Sequence, residues 1–359
     1  MWPDRRLLDL FKIDIPIVQA PMASAMDAEL VIAASQAGAL GSLPCATISP
    51  EKAREQVQII RQRVSAPLNM NFFSHTPAPA DPAREAGWRR RLGSYYKELG
   101  LDPDATVPAA NRAPFDVAMC ELVEELKPEI VSFHFGLPDK SLLKRVKDAG
   151  CLVVGCATLV KEAVWLEQNG ADAIIAQGAE AGGHRSMFLT DNISSQPGTF
   201  ALVPQVVDAV RVPVIAAGGI ADGRGIAAAF ALGAAGVQIG TAYLRTPESK
   251  VSALGRTALA SAGDDSTVIT NVMTGRPARG VVNRVMREVG PVSADAPAFP
   301  HAATAFAPLR TAAEKLGKVD FSNLWAGQAV GLGREIGATD LTRALAAEAL
   351  QRLRGLSAS

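Results

Sequence analysis

The chain has 359 residues, 48% of them apolar and 20% charged, and its 36 Lys plus Arg balance its 36 Asp plus Glu. At about 150 residues per domain this allows two domains, or one barrel of about 250 residues with additions, and it excludes a mini-protein or an intrinsically disordered chain. A net charge of zero supplies no field for collecting phosphate backbones or anionic lipids, so neither nucleic acid nor a membrane surface is an expected partner.

Taken in chain order, the N-terminal MWPDRRLLDLFKIDIP has its apolar run interrupted by Asp9, Lys12 and Asp14, so it does not read as a signal peptide. Short β-branched or apolar runs then recur at Ile17–Ala20, Leu40–Ser42, Leu68–Asn71, Ile130–His134, Leu152–Cys156, Ala173–Gln177, Val214–Ala217 and Gly236–Ile239. Helical patterns separate them at Glu29–Gln36, Pro50–Val64, Phe115–Leu126, Lys140–Asp148, Leu159–Asn169, Leu202–Val210 and Gly223–Leu232, with Gly38, Gly150, Gly170 and Gly233 as C-cap signals. Regular strand and helix alternation argues for parallel strands with crossover helices, and eight such units predict an α/β (β/α)8 TIM barrel over 1–75 and 111–245.

Two regions break the rhythm. The segment His75 to Asn111 is rich in Pro and Ala and carries the basic run Arg89 to Arg91, which reads as a solvated helix face; residues 76–110 are expected to be an insertion over the barrel mouth. Residues 246–359 form an expected accessory helical region, with helical patterns at Ser249–Ser261, Ala302–Leu316 and Thr339–Leu353 and a loop at Val289–Pro300. The uncharged run Gly225 to Leu244 has the length of a bilayer span, about 20 residues, but its glycines, Gln238 and Thr241 divide it into a helix, a turn and a strand. Cys45, Cys120, Cys151 and Cys156 lack zinc or redox spacing and read as small core residues in a reduced, cytoplasmic compartment.

In a TIM barrel the chemistry lies at the C-terminal ends of the strands, and loops seven and eight commonly bind phosphate. Here those loops are Ala217-Gly218-Gly219-Ile220 and Gln238-Ile239-Gly240-Thr241, where glycine lets backbone N–H groups approach phosphate oxygens; a phosphorylated cofactor is expected. The dinucleotide-like Gly223-Arg224-Gly225 run begins too late after its strand and has no acidic residue from Ala229 to Pro247 to hold a ribose. After the sixth strand, Gln177-Gly178-Ala179-Glu180-Ala181-Gly182-Gly183-His184 combines a glycine loop suited to a flat ring with a histidine able to take a proton near neutral pH, while Glu180 reads as structural. His134 ends the fourth strand and should face the mouth as a substrate-pocket residue; Asn69 and Asn71 share one strand face, with Asn71 able to hydrogen-bond a cofactor. His75 and His301 lie in irregular segments and are expected to be exposed. No metal site, Walker loop or esterase elbow is present in the sequence.

This ordered set resembles the nitronate monooxygenases, class I, once called 2-nitropropane dioxygenases. It comprises Gln19-Ala20-Pro21-Met22-Ala23, Asn69-Met70-Asn71, Ser132-Phe133-His134-Phe135-Gly136, the Gln177 to His184 loop, the two phosphate loops, Thr274-Gly275-Arg276-Pro277-Ala278-Arg279-Gly280 and Leu324-Trp325-Ala326-Gly327-Gln328. The resemblance implies FMN bound by Met22, Asn71, Gln177, Gly182, Gly218, Gly219, Gln238, Ile239, Gly240 and Thr241, with His184 as the catalytic histidine. It implies oxidation of alkyl nitronates, propionate 3-nitronate among them, by O2 to carbonyl compounds with nitrite or nitrate released, and His184 as general base towards neutral nitroalkanes. The alternative reading is an FMN-dependent NAD(P)H reductase, of the enoyl-acyl-carrier-protein or quinone type, and a non-catalytic flavin store is a third; an oligomeric state is not implied.

Overall fold

The computed structural model describes residues 1–105, 107 and 112–357. Residues 106 and 108–111, at the end of the expected insertion, and 358–359, at the end of the expected accessory region, lie outside the described residues. Among those described, eleven strands follow in chain order: β1 (Ile17–Gln19), β2 (Gly41–Pro44), β3 (Leu68–Phe73), β4 (Ile130–His134), β5 (Leu152–Ala157), β6 (Ala173–Gln177), β7 (Gly183–His184), β8 (Val214–Ala217), β9 (Gly236–Ile239), β10 (Thr267–Thr270) and β11 (Ala278–Val281). All except β7, β10 and β11 form one parallel sheet, ordered β1-β9-β8-β6-β5-β4-β3-β2, and a bridge from Val18 to Leu40 joins its two ends. This is the TIM barrel expected from the sequence, and each expected strand is present.

The covering helices begin where a side-chain oxygen accepts an early amide proton. Asp27, Ser49, Asp116, Asp139 and Asp222 do this for the helices Ala28–Gln36, Pro50–Arg63, Val117–Leu126, Lys140–Asp148 and Gly223–Ala231. The glycines expected just past helix ends, at 38, 150, 170 and 233, all have positive φ. The Gly225 to Leu244 run is part of helix Gly223–Ala231 followed by β9, and no described helix is long and apolar enough to cross a membrane. All four cysteines are free and buried.

Three features were not expected from the sequence. A short helix, Arg6–Phe11, stops the N-terminal end of the barrel: Leu7 is fully buried and lies where a Cβ on Gly236, at the start of β9, would fall. The strands β10, β11 and β7 form a small antiparallel sheet that carries His184. Finally, the insertion helices Pro82–Arg91 and Gly93–Glu98 do not stand alone. Trp88, Leu92, Tyr95 and Tyr96 share a second apolar core with Val272, Val285, Phe306 and Phe321 of the late region. The Tyr95 hydroxyl donates to Glu288 at 2.8 Å and the Tyr96 hydroxyl to the Ala305 carbonyl at 2.6 Å, so buried phenols find partners. Arg90 and Arg91 are exposed, as a solvated face requires, whereas Arg89 lies over the Tyr96 ring.

The last of the late helices, Ala338–Ser357, has a particular place. It packs against Gly223–Ala231 and Ala28–Gln36, buries Leu341, Leu345 and Ala349 in the main core, and its Thr339 hydroxyl donates to the Ala33 carbonyl at 2.9 Å. That is the seam between the seventh and first barrel helices, so this helix completes the outer ring.

Candidate active site

Strand register decides which side chains reach the barrel interior. A Cβ on Gly155 would meet Leu166 of the covering helix Val160–Gln168, so Gly155 faces outward and its neighbours Val154 and Cys156 face inward. Following the pairings around the barrel puts Asn69, Asn71, Phe73, Ser132, His134, Gln177, Ala217 and Gln238 on the inner face. Ile239 is on the other face, buried in the core, and its carbonyl accepts from the Ala20 amide at 2.8 Å. Its side chain is therefore turned away from the mouth.

The glycine loop after β6 is shaped by close approaches. A Cβ on Gly182 would lie 2.6 Å from the Gly327 nitrogen and 2.7 Å from the Ala326 carbonyl carbon, so only glycine permits the contact with the Trp325-Ala326-Gly327-Gln328 segment. That segment ties three loops together. Gln328 N–H donates to the Glu180 carbonyl at 3.0 Å, and Gly327 N–H donates to the Thr241 hydroxyl at 2.9 Å. Gly218 and Gly219 have φ of +113° and +71°, and a Cβ on Gly218 would be 2.9 Å from the Ala181 nitrogen. Met22 sits beside Gly240, whose Cβ would come 3.5 Å from its sulfur. Glu180 has the structural role expected: its carboxylate accepts from the Thr199 amide and hydroxyl at 2.8–2.9 Å. Gly223, by contrast, packs against Glu348 of the last helix and serves helix–helix contact.

Arg185, which the sequence did not single out, is fully buried, and its guanidinium donates to the carbonyls of Gly178, Ala181 and Gly183. It curls the loop from within, and burial pushes its pKa down to about 9.

His184 is 9% exposed and is fixed from several sides. Its backbone pairs with Ala278 of β11, and its carbonyl accepts from Gln177 Nε2 at 3.0 Å and His134 Nε2 at 3.1 Å. Because a carbonyl only accepts, His134 Nε2 carries a proton. Gln177 is engaged at both ends, since its Oε1 accepts from the Ser186 amide at 2.9 Å. Asn71 Nδ2 donates to the Ser132 hydroxyl at 2.9 Å. The His184 ring is edge-on to Phe73, Phe135 and Phe299 and lies 5.5 Å from Trp325; its Nε2 is 2.9 Å from the Thr274 hydroxyl.

The electrostatics of this box are one-sided. Burial first, and then the charges of Arg112, Arg276 and Arg185, hold the His184 pKa well below its ordinary value. Burial likewise pushes His134 down to about 3 and His75 down to about 4, so all three rings are neutral near pH 7. Arg276 lies 4.0 Å over the Phe135 ring and donates to the Met187 carbonyl. Arg112 lies 5.9 Å over Phe299 and has no carboxylate partner among the described residues. The arrangement sets a neutral imidazole between aromatic walls with cationic side chains nearby. No group of three potential metal ligands occurs among the described residues.

His75 corrects an expectation: it is 5% exposed, packed 4.9 Å from Phe299, with Nδ1 lacking a partner. Its apolar neighbours come from distant segments, which is why an irregular local sequence suggested exposure. His301 is half-buried, with Nε2 3.3 Å from the Ala78 carbonyl and Nδ1 3.6 Å from Glu85.

Comparison with known proteins agrees with this geometry. The family model described as nitronate monooxygenase matches residues 4–348. A nitronate monooxygenase of Pseudomonas aeruginosa is 40% identical over 345 residues, covering 96% of this chain and 98% of that protein, and one of Paraburkholderia phytofirmans is 40% identical over 98% of this chain and 97% of its own length. Among solved structures, the nitroalkane oxidase of Streptomyces ansochromogenes superposes with a TM-score of 0.88 at 36% identity, covering 98% of this chain and 99% of that one. FabK of Thermotoga maritima follows with 0.74 at 26% identity, covering 100% and 99%. With the barrel, the glycine loop and its histidine in place, these matches make the chain a member of the nitronate monooxygenase family, flavin-dependent oxidoreductases.

Proposed function

We propose that the flavin is FMN and that the substrate is an alkyl nitronate carrying a second negative charge, propionate 3-nitronate, which O2 converts to a carbonyl compound with release of nitrite or nitrate. The observation that carries this reading is the neutral His184 placed among Arg112, Arg276 and Arg185 without a carboxylate to neutralise Arg112. A base with a strongly lowered pKa is a weak proton acceptor, and a nitronate is already deprotonated. Such a box therefore suits the anion better than its neutral parent.

The residues present fit FMN. Gln238 Oε1 and Asn69 Oδ1 on the barrel's inner face are buried without partners, and such orphans are expected where a ligand completes the hydrogen bonding. Gly218, Gly219, Gly240 and Thr241 would hold a single phosphate at the ends of β8 and β9, while Met22, Asn71, Gln177 and Gly182 would lie along the ring. Ile239 would contribute only through its place in the strand. Bound flavin supplies the electron acceptor. The chain's own residues position the anion: Arg112 and Arg276 supply charge, Phe73 and Phe299 exclude water, and His134 and Gln177 hold the His184 backbone still. Four buried, free thiols support a reduced, cytoplasmic setting. The insertion 76–110 is proposed to cover the mouth together with the late loop that supplies Phe299.

The deciding experiment is oxygen uptake by the FMN-saturated protein with propionate 3-nitronate and no nicotinamide. Rapid uptake is expected. Uptake only after NADH is added would overturn the proposal in favour of the reductase reading.

A further inference from the structure

We infer that Thr274 is a positioning residue that sets the tautomer of His184, so that one imidazole presents either a lone pair or an N–H at Nδ1 according to the substrate. The inference rests on the site reading above and deepens it. Thr274 is fully buried in the turn between β10 and β11, and its hydroxyl oxygen is 2.9 Å from His184 Nε2 and 3.3 Å from the Arg276 carbonyl oxygen. The turn is held there because Gly275, with φ of +88°, backs directly onto the Pro297 carbonyl and leaves no room for a side chain.

A hydroxyl has one proton to give. When it goes to the Arg276 carbonyl, the Thr274 oxygen accepts, so His184 Nε2 must carry the ring proton and Nδ1 holds the lone pair. When the hydroxyl donates to Nε2, the ring proton sits on Nδ1. Nδ1 has no hydrogen-bond partner among the described residues, so it is the nitrogen left to meet substrate. The first arrangement is a base: the α C–H bond of a neutral nitroalkane breaks, its electron pair moves into the nitro group, and the proton forms an N–H at Nδ1, giving an imidazolium still bonded to Thr274. The second is a donor that hydrogen-bonds a nitronate oxygen, with no proton changing hands. The low basicity of the ring limits the first and leaves the second unaffected.

Removing the hydroxyl makes the two arrangements unequal. With valine at 274, a proton on Nε2 would be an orphaned donor against a buried apolar side chain, whereas Nδ1 is not among the fully buried unpartnered atoms of the described residues and opens to the substrate space, so the ring is driven to the Nδ1–H form. The chain has four histidines, so 15N-histidine labelling of the holoprotein resolves them, with His184→Asn identifying the signal of interest. Long-range 1H–15N spectra of wild type, Thr274→Ser, Thr274→Val and Thr274→Ala read the tautomer directly, and exchange of deuterium into the α-position of nitroethane reads the base. We expect serine to match wild type, and valine and alanine to shift His184 to Nδ1–H while slowing α-exchange about tenfold or more. An unchanged tautomer in both Thr274→Val and Thr274→Ala, or no α-exchange by the wild type, would overturn the inference. The spectra need no turnover, so if the protein fails to oxidise propionate 3-nitronate they still decide the role of Thr274 by themselves.

Discussion

At the scale of residues, the three lowered histidines make acid stability a property of the mouth. In an unfolded chain a histidine takes its proton near pH 6.5, whereas folded His75 takes it only at about 4, so between those values the unfolded state binds more protons. Stability is full above the unfolded value and declines as the pH falls towards the folded one, by up to about 1.4 kcal/mol per pH unit for one such group. His75→Phe removes a buried nitrogen that has no partner and should flatten the decline between pH 6.5 and 4; urea midpoints across that range measure it, and parallel curves for the two proteins would refute the assignment. His184 was legible in the sequence because a glycine loop at a strand end is a local signal. Thr274, Arg112 and His75 were not, since their meaning lies in neighbours far along the chain: 90 residues separate Thr274 from His184.

At the scale of elements, the barrel strands were legible because parallel strands are covered on both faces and read as short apolar runs between helical patterns. The small sheet was hidden by the same logic. Gly183–His184 is two residues long, and β11 reads Ala-Arg-Gly-Val with no apolar alternation, so only tertiary pairing makes these segments strands. The helix Arg6–Phe11 is a single charged-flanked turn and a half, too short for its periodicity to stand out. Yet the small sheet and the Trp325 segment set the height of the histidine above the mouth. Gly182→Ala would push the loop away from Ala326 and Gly327, both backbone contacts that cannot yield by rotating a side chain. We expect a loss of about 1–3 kcal/mol in unfolding free energy. The flavin-to-protein ratio after gel filtration should fall as well, and a variant that retains flavin like the wild type would show that the loop is free to move.

For the whole molecule, overall neutrality and a cationic mouth are compatible because the charges are arranged unevenly. Surface arginines are largely paired, as in Arg54–Glu125 and Arg284–Glu98, whereas Arg112 has no carboxylate partner among the described residues and, with Arg276 and Arg185, lies near enough to His184 to lower its pKa. Salt screens such a field, so kcat/KM for a nitronate should fall about threefold or more from ~20 to ~500 mM salt, while that for a neutral nitroalkane should barely change. Equal salt dependence for both substrates would show that these arginines do not steer.

The helix Ala338–Ser357 fills the gap between the first and seventh barrel helices, although residues 240–337 separate it from the strand it completes. On the ribosome all eight barrel strands therefore emerge well before the element that shuts the ring. Until then the apolar flanks of Ala28–Gln36 and Gly223–Ala231 face water, and the nascent barrel is an open, adhesive intermediate for the time it takes to translate the small sheet and the second core. At about 5–20 residues per second that interval lasts about 5–20 s, during which the uncovered seam is open to contact with other chains.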